Sequence, residues 1–164
     1  MFSSCCPGWI KYAEQSNPQI LENISTCKSP QQMMGALITQ HFTPEHNLTD
    51  EQVYSVSAMP CVAKKFEAQR EQMTHKGVTD VDTILTTREL ARLIRLNGID
   101  IQQVEPEMGD QPYRSRSSAG KLLAVSGGLT ESLIRTLYFM ITGKDMVQPK
   151  IQELRSSKGR KEYR

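Results

Sequence analysis

Cysteine is scarce in this 164-residue chain, and its four copies, Cys5, Cys6, Cys27 and Cys61, include no Cys-x-x-Cys pair. That argues against a zinc finger or a thioredoxin-type redox site, and the density is too low for a disulfide scaffold at this size. Neighbours such as Cys5 and Cys6 cannot easily bond each other, because disulfide geometry constrains both Cα separation and dihedral. Long apolar runs are missing as well: none approaches the ~18 residues that a membrane span needs. The start, MFSSCCPGWI, has neither the basic head nor the apolar stretch of a secretory signal. The expected location is therefore the cytoplasm, or an organelle whose import signal is not visible. An excess of one charge is also lacking, since 20 Lys and Arg face 18 Asp and Glu for a net charge of +2. Nothing in that balance calls for nucleic acid or an anionic membrane as partner. What remains is a soluble, globular composition, 38% hydrophobic and 23% charged, at a length that suits one domain with its own core.

Along the chain, elements alternate. Pro7 at a first helical position opens a helix with Trp9, Ile10 and Ala13 on its apolar face, and Asn17-Pro18 stops it. Ser29 reads as an N-cap and Pro30 as the first turn of a second helix carrying Met33, Met34, Leu37 and Ile38. Residues 43–51 form a polar connection, and VYSVSAMP then alternates as a strand does. After Pro60-Cys61 helical composition resumes, and a second strand is expected at Val81–Leu85. Thr86-Thr87-Arg88-Glu89 has the pattern of a capped start to the helix LARLIRLNG, closed at Gly98. Residues 100–118 read as a polar loop; Gly127-Gly128 precede an amphipathic helix that stops at Gly143, and a basic polar tail follows from Lys150. Strands alternating with helices predict an α/β fold with a mainly parallel sheet and flanking helices.

Two cysteines share a local setting. Cys6 ends a short extended stretch before Pro-Gly and a helix, and Cys61 ends a strand before Val62 and a helix. In an open α/β sheet, ligands gather at the carboxyl ends of strands. Helix N-termini favour the thiolate there, the form that binds metal. Two such positions can serve a shared iron–sulfur cluster, which takes four thiolates. Read from the residues alone, two packed, inert thiols are the simpler explanation of the pattern. In the same way Lys64 can be a solvated charge, the methionines core filler, Cys27 a buried thiol, and Glu67 an ion-pair partner that holds its own segment.

The motifs go further. Phe2-Ser3-Ser4-Cys5-Cys6-Pro7-Gly8-Trp9 resembles the first cluster motif of iron-only (FeFe) hydrogenases, TSCCPGW, and Met59-Pro60-Cys61-Val62-Ala63-Lys64-Lys65-Phe66-Glu67 resembles the second, MPCxxKxxE. Ser25-Thr26-Cys27-Lys28-Ser29-Pro30-Gln31-Gln32-Met33 resembles the STCKSPQQM segment between them, and Asp80-Val81-Asp82 and Leu85–Ala91 follow in the family's order. The resemblance implies that residues 1–149 are part of one lobe of a two-lobed hydrogenase catalytic domain, with 150–164 a tail. It implies a 4Fe–4S cluster joined to a diiron subsite with carbon monoxide, cyanide and bridging dithiolate ligands, together the H-cluster. By the same resemblance Cys6 and Cys61 ligate the 4Fe–4S part, and Cys5 passes protons to the bridging amine of the diiron subsite. Ser25 stands one step outward in the proton relay. Lys64 donates to a cyanide, Met59 packs beside the irons, and Ser29 and Gln31 line the cyanide side. Protons and dihydrogen are then the substrates, with ferredoxin or another electron carrier and the maturation proteins as partners. A hydrogen-producing organelle becomes an alternative location.

The match stops short of the family's third motif, for no cysteine follows Cys61. A fragment, a truncated reading frame or one half of a split protein all account for that, and the chain alone is expected to hold no complete H-cluster. Three other functions stay open. One is a hydrogenase-like protein of iron–sulfur assembly or prelamin recognition, a family that generally has a single cysteine before Pro-Gly-Trp. The others are a sensory hydrogenase-like module and an inert fragment.

Overall fold

The computed structural model describes residues 1–110, 119–123, 125, 127–146, 151–153 and 161–163, and the chain divides into two compact units, Met1–Asp110 and Gln111–Arg164.

In the first unit, Phe2 forms a parallel bridge with Ile24, through Phe2 N–H to Asn23 carbonyl and Ser25 N–H to Phe2 carbonyl, both 2.7 Å. The chain then turns into α1, Pro7–Ser16, with Cys6 as its extended N-cap residue. Pro7 suits the first turn because it has no N–H to leave unpaired, and Ala13 is buried, the small residue that lets α1 lie close to its neighbour. Helix α2, Pro30–Leu37, runs on through a π-helical turn, Ile38–Phe42, into α3, Thr43–Glu45. The Thr39 and Thr43 hydroxyls donate back to carbonyls within this stretch, Thr43 Oγ1 to Ile38 O at 2.9 Å. Part of the expected polar connection at 43–51 is therefore helical: besides α3, a 3₁₀ turn covers Asp50–Gln52, where Gln52 Oε1 accepts the Thr49 N–H at 2.8 Å. Side chains that hydrogen-bond their own backbone hold these short turns, a signal that apolar periodicity does not carry.

Strand β1, Val56–Met59, leads through α4, Ala63–Ala68, and a hairpin of β2, Thr74–His75, and β3, Val78–Thr79, to β4, Thr83–Thr86. β1 and β4 pair in parallel with Met59 opposite Thr86, so β1–α4–β4 is a βαβ unit and the fold is α/β as expected. The hairpin turns on Lys76 and Gly77, both at positive φ, the twist that a two-residue hairpin requires. Helix α5, Thr87–Leu96, starts with a capping box: Glu89 N–H donates to Thr86 Oγ1 at 3.3 Å, and Thr86 N–H donates to Glu89 Oε2 at 2.8 Å. It closes at Gly98, φ 68°. Both ends are where the sequence puts them.

The interior of this unit is unusual in content. Its buried apolar side chains are Pro7, Ala13, Val81 and Ile84, whereas Ser29, Gln32, Thr43, Ser55, Lys64, Glu67 and Asp80 are buried polar ones. Met33 and Met34 lie exposed, so the reading of them as core filler does not hold. Helix α2 meets its neighbour through Gly35 and Gln32 on its buried face, and the methionines fall on the other side.

The second unit contains α6, Ala119–Leu122, and α7, Gly128–Thr142, which stops at Gly143 with φ 68°. A short antiparallel pair, β5 at Ile151–Glu153 and β6 at Lys161–Tyr163, lies in the basic tail. Part of the expected 100–118 loop, residues 111–118, and most of the tail lie outside the described residues. No helix among the described residues is long and apolar enough to cross a membrane.

Candidate metal centre

Cys6 and Cys61 both occupy helix starts in the first unit. Cys6 precedes α1, and its carbonyl accepts the Ile10 N–H at 3.2 Å; the Cys61 carbonyl accepts the Lys64 N–H, also at 3.2 Å, in the first turn towards α4. The two helices pack on each other, and Arg70 beyond α4 clasps Glu14 of α1. That pairing holds the Glu14 carboxyl below, and the Arg70 guanidinium above, their ordinary pKa ranges. Lys11 of α1 also lies 4.8 Å from the centre of the Phe66 ring of α4.

Lys64 joins the two cysteine segments directly. Its side chain is buried, and Nζ donates to the Cys5 carbonyl at 2.7 Å and to Glu67 Oε1 and Oε2 at 3.1 and 3.0 Å. It is thus no solvated surface charge. Glu67 forms the expected ion pair and also accepts the Ser29 hydroxyl at 2.8 Å. Ser29 stands at the N-cap position of α2, yet its side chain makes no cap bond. The expected capping role gives way because a buried carboxylate is the stronger acceptor. The three contacts match the three N–H donors of an ammonium group.

The remaining predicted site residues are spread around this pair. Cys5 is exposed, with its carbonyl held by Lys64. Met59 is half-buried at the end of β1, two residues before Cys61. Gln31 Oε1 accepts the Ser57 hydroxyl of β1 at 3.0 Å, while its Nε2 is buried without a partner. Ser25 Oγ accepts the Cys27 N–H at 3.3 Å and lines a cavity of about 320 Å³ that Ser4, Ile10, Cys27 and Glu67 also line. Cys27 is exposed, contrary to the buried thiol expected, because the Ser25 turn carries it along the outside of the segment before α2. Sequence reasoning missed that Glu67 reaches Ser29. The Lys-x-x-Glu spacing signalled the pair with Lys64, but nothing local signalled a partner 38 positions away.

All four thiols are free and exposed, and among the described residues no three His, Cys, Asp or Glu side chains gather as a metal-binding group. Two thiols at adjoining helix starts fit one half of the four-thiolate set of a 4Fe–4S cluster.

Known proteins decide the family. The whole chain, residues 1–164, matches the family described as iron only hydrogenase large subunit, C-terminal domain. The chain belongs to that family. It is 42% identical over 143 residues to the periplasmic [Fe] hydrogenase large subunit of Nitratidesulfovibrio vulgaris, a match covering 87% of this chain and 34% of that protein. It is 39% identical over 141 residues to the cytosolic Fe-S cluster assembly factor narfl of Xenopus tropicalis, covering 82% of this chain and 30% of that one. Among solved structures, a variant of the [FeFe]-hydrogenase HydA1 from Chlamydomonas reinhardtii superimposes with a TM-score of 0.81 at 32% identity, covering 96% of this chain and 39% of that one. This member of the iron-only hydrogenase family thus spans about a third of the length of these curated relatives.

Proposed function

We propose that this chain supplies half of the cluster ligands of an oxidoreductase that interconverts protons and dihydrogen. What supports the reading is that the segments of Cys6 and Cys61 lead into two packed helices and are joined by the Lys64 bond to the Cys5 carbonyl, in a chain of the hydrogenase family. Cys6 and Cys61 would hold the 4Fe–4S part of an H-cluster. When bound, that group supplies the redox chemistry of proton reduction and dihydrogen oxidation. Cys5 takes up and releases the proton, with Ser25 next outward, while Lys64 faces an anionic ligand and Met59, Ser29 and Gln31 wall the site. Ferredoxin or a similar carrier delivers the electrons, and maturation proteins install the diiron part. The cytoplasm or a hydrogen-producing organelle is the proposed location.

A hydrogen-evolution assay, with reduced viologen as donor, tests this on the large subunit containing this segment, expressed with maturation proteins. Cys5→Ala should keep the iron and lose turnover by well over the ~10²-fold typical of one acid–base step. Cys6→Ala should lose cluster iron. Parent-like turnover in Cys5→Ala with a full cluster would refute the relay.

The match to an Fe-S assembly factor supports a second reading, an iron–sulfur protein without hydrogen chemistry. Cys5, immediately before Cys6, favours the first reading, since the assembly-type relatives generally carry one cysteine there. A subunit that holds cluster iron but evolves no hydrogen would favour the second.

A further inference from the structure

Three segments far apart in sequence meet at one buried carboxylate. Lys64, Glu67 and Ser29 are each 5–6% exposed. Lys64 joins Glu67 to the Cys5 carbonyl, and Ser29, at the start of α2, donates to Glu67 Oε2. We propose that Glu67 is the positioning residue of the thiol pair: it holds Lys64 on the Cys5 carbonyl and so fixes the Cys5–Cys6 turn against the helix start at Cys61. The inference rests on the reading of Cys6 and Cys61 as ligands of one group.

The Cys5 carbonyl belongs to the peptide bond that carries Cys6, and Lys64 follows Cys61 by three residues. The lysine side chain therefore ties one ligand segment to the other. A buried ammonium stays buried only beside an anion; without one it turns out to water. Glu67 is that anion, one helical turn on from Lys64, and the Ser29 hydroxyl restrains its carboxylate from a third element. Arg70 lies close enough to Glu67 to be felt electrostatically, but its own hydrogen bonds go to Glu14. The local bonds of the turn, Cys6 N–H to Ser4 Oγ at 3.0 Å and Ile10 N–H to the Cys6 carbonyl at 3.2 Å, tie it to its own segment and to α1, not to the Cys61 segment. The Arg70–Glu14 pair and the Lys11–Phe66 contact keep α1 on α4 independently. Loss of Glu67 should therefore loosen the Cys5–Cys6 turn while the helices remain packed.

The test uses the full chain with Cys5→Ser and Cys27→Ser, which leaves thiols at 6 and 61 for nitroxide labels. Dipolar electron paramagnetic resonance should give one narrow distance distribution in this background. Glu67→Gln should widen it roughly 1.5- to 2-fold, the step from rigid to loop-like amplitudes. The pair Lys64→Met with Glu67→Met removes both charges at similar volume, so its unfolding midpoint should return towards the parent while the distribution stays wide. A distribution as narrow as the parent's in either variant overturns the proposal. So does a failure of the double variant to fold, which would assign the three residues to the fold alone. No metal enters the measurement, so the ligand reading is tested separately: a Cys6→Ala variant that keeps full cluster iron in the matured large subunit would sink it while leaving the distance result standing.

Discussion

Gly35 of α2 lies directly on the Asp80 carbonyl, so closely that a β-carbon at position 35 would overlap the Asp80 oxygen, lie 2.7 Å from its carbonyl carbon and 2.8 Å from Val81 Cγ2. Helix α2 thereby packs on the turn that leads into β4, and Gln32, one turn earlier on α2, is fully buried there with its amide unpaired within the protein.

Gly35→Ala should therefore destabilise the chain. Alanine gains about 1 kcal/mol of helix propensity, but the overlap is with backbone, which cannot swing aside. A net loss of about 1–3 kcal/mol is expected from overpacking. Urea denaturation measures it, with Gly109→Ala as the contrast: nothing lies within 4 Å of a β-carbon there, and a change below about 0.5 kcal/mol is expected. Equal stability of Gly35→Ala and the parent would contradict the close approach.

Lys28 reaches the same turn from the segment before α2, with Nζ 2.5 Å from Asp80 Oδ2; the Asp80 side chain is fully buried. Removing the lysine leaves an uncompensated buried carboxylate, at a cost of about 3–5 kcal/mol for a buried pair. Lys28 itself is 28% exposed, so water offsets part of that and the lower end is expected. Asp80→Asn, which removes the charge along with its partner's need, should cost less. The order of the two variants in chemical denaturation is the check. A more stable Lys28→Ala would show that the pair contributes little.

The α5 cap sets a pH window. Glu89 is held at a pKa of about 2, below the ordinary 4.5, first by the Lys65 ammonium and then by the Thr86 N–H and hydroxyl. A depressed carboxyl pKa contributes stability that is complete above the unfolded value. That contribution is lost as pH falls from 4.5 towards about 2. Carbon-detected NMR titration of Glu89 should show the low midpoint, and Lys65→Met should move it up towards the ordinary value. Thr86→Ala should raise it less, and should cost about 1 kcal/mol through the lost cap. An ordinary midpoint in the parent would refute the cap geometry.

The cysteine inventory sets a limit on this chain by itself. With Cys6 and Cys61 as two of four cluster thiolates, and no cysteine after Cys61, binding should be incomplete, because metal affinity is coupled to a whole site. After anaerobic expression with maturation proteins, the 164-residue chain is expected to show no infrared bands of bound carbon monoxide or cyanide. Such bands would mean that other residues complete the set.

Local physics made much of this protein legible in its sequence. Pro7 and Pro30 start helices, Thr86 and Glu89 cap α5, and Gly98 and Gly143 end helices at positive φ, all through contacts spanning a few residues. The cysteine motifs, in their order, likewise carried the family. The short turns at Thr43–Glu45 and Asp50–Gln52 escaped, because side-chain to backbone bonds hold them and no apolar period marks them.

Tertiary structure alone decided where the polar groups went. Ser29 has the sequence of a helix cap, but its hydroxyl serves Glu67; Lys64 has the look of a surface charge, but lies buried between Cys5 and Glu67; Cys27 faces outward. For Ser29 and Lys64 the outcome depends on which distant group arrives beside the side chain, whereas the Ser25 turn two residues away carries Cys27 outward. The Lys64–Cys5 contact spans 59 positions and the Lys28–Asp80 contact 52. A buried charge must take the partner that the fold brings to it, so its place is a property of the packed chain, whereas caps, turns and motif order are written residue by residue.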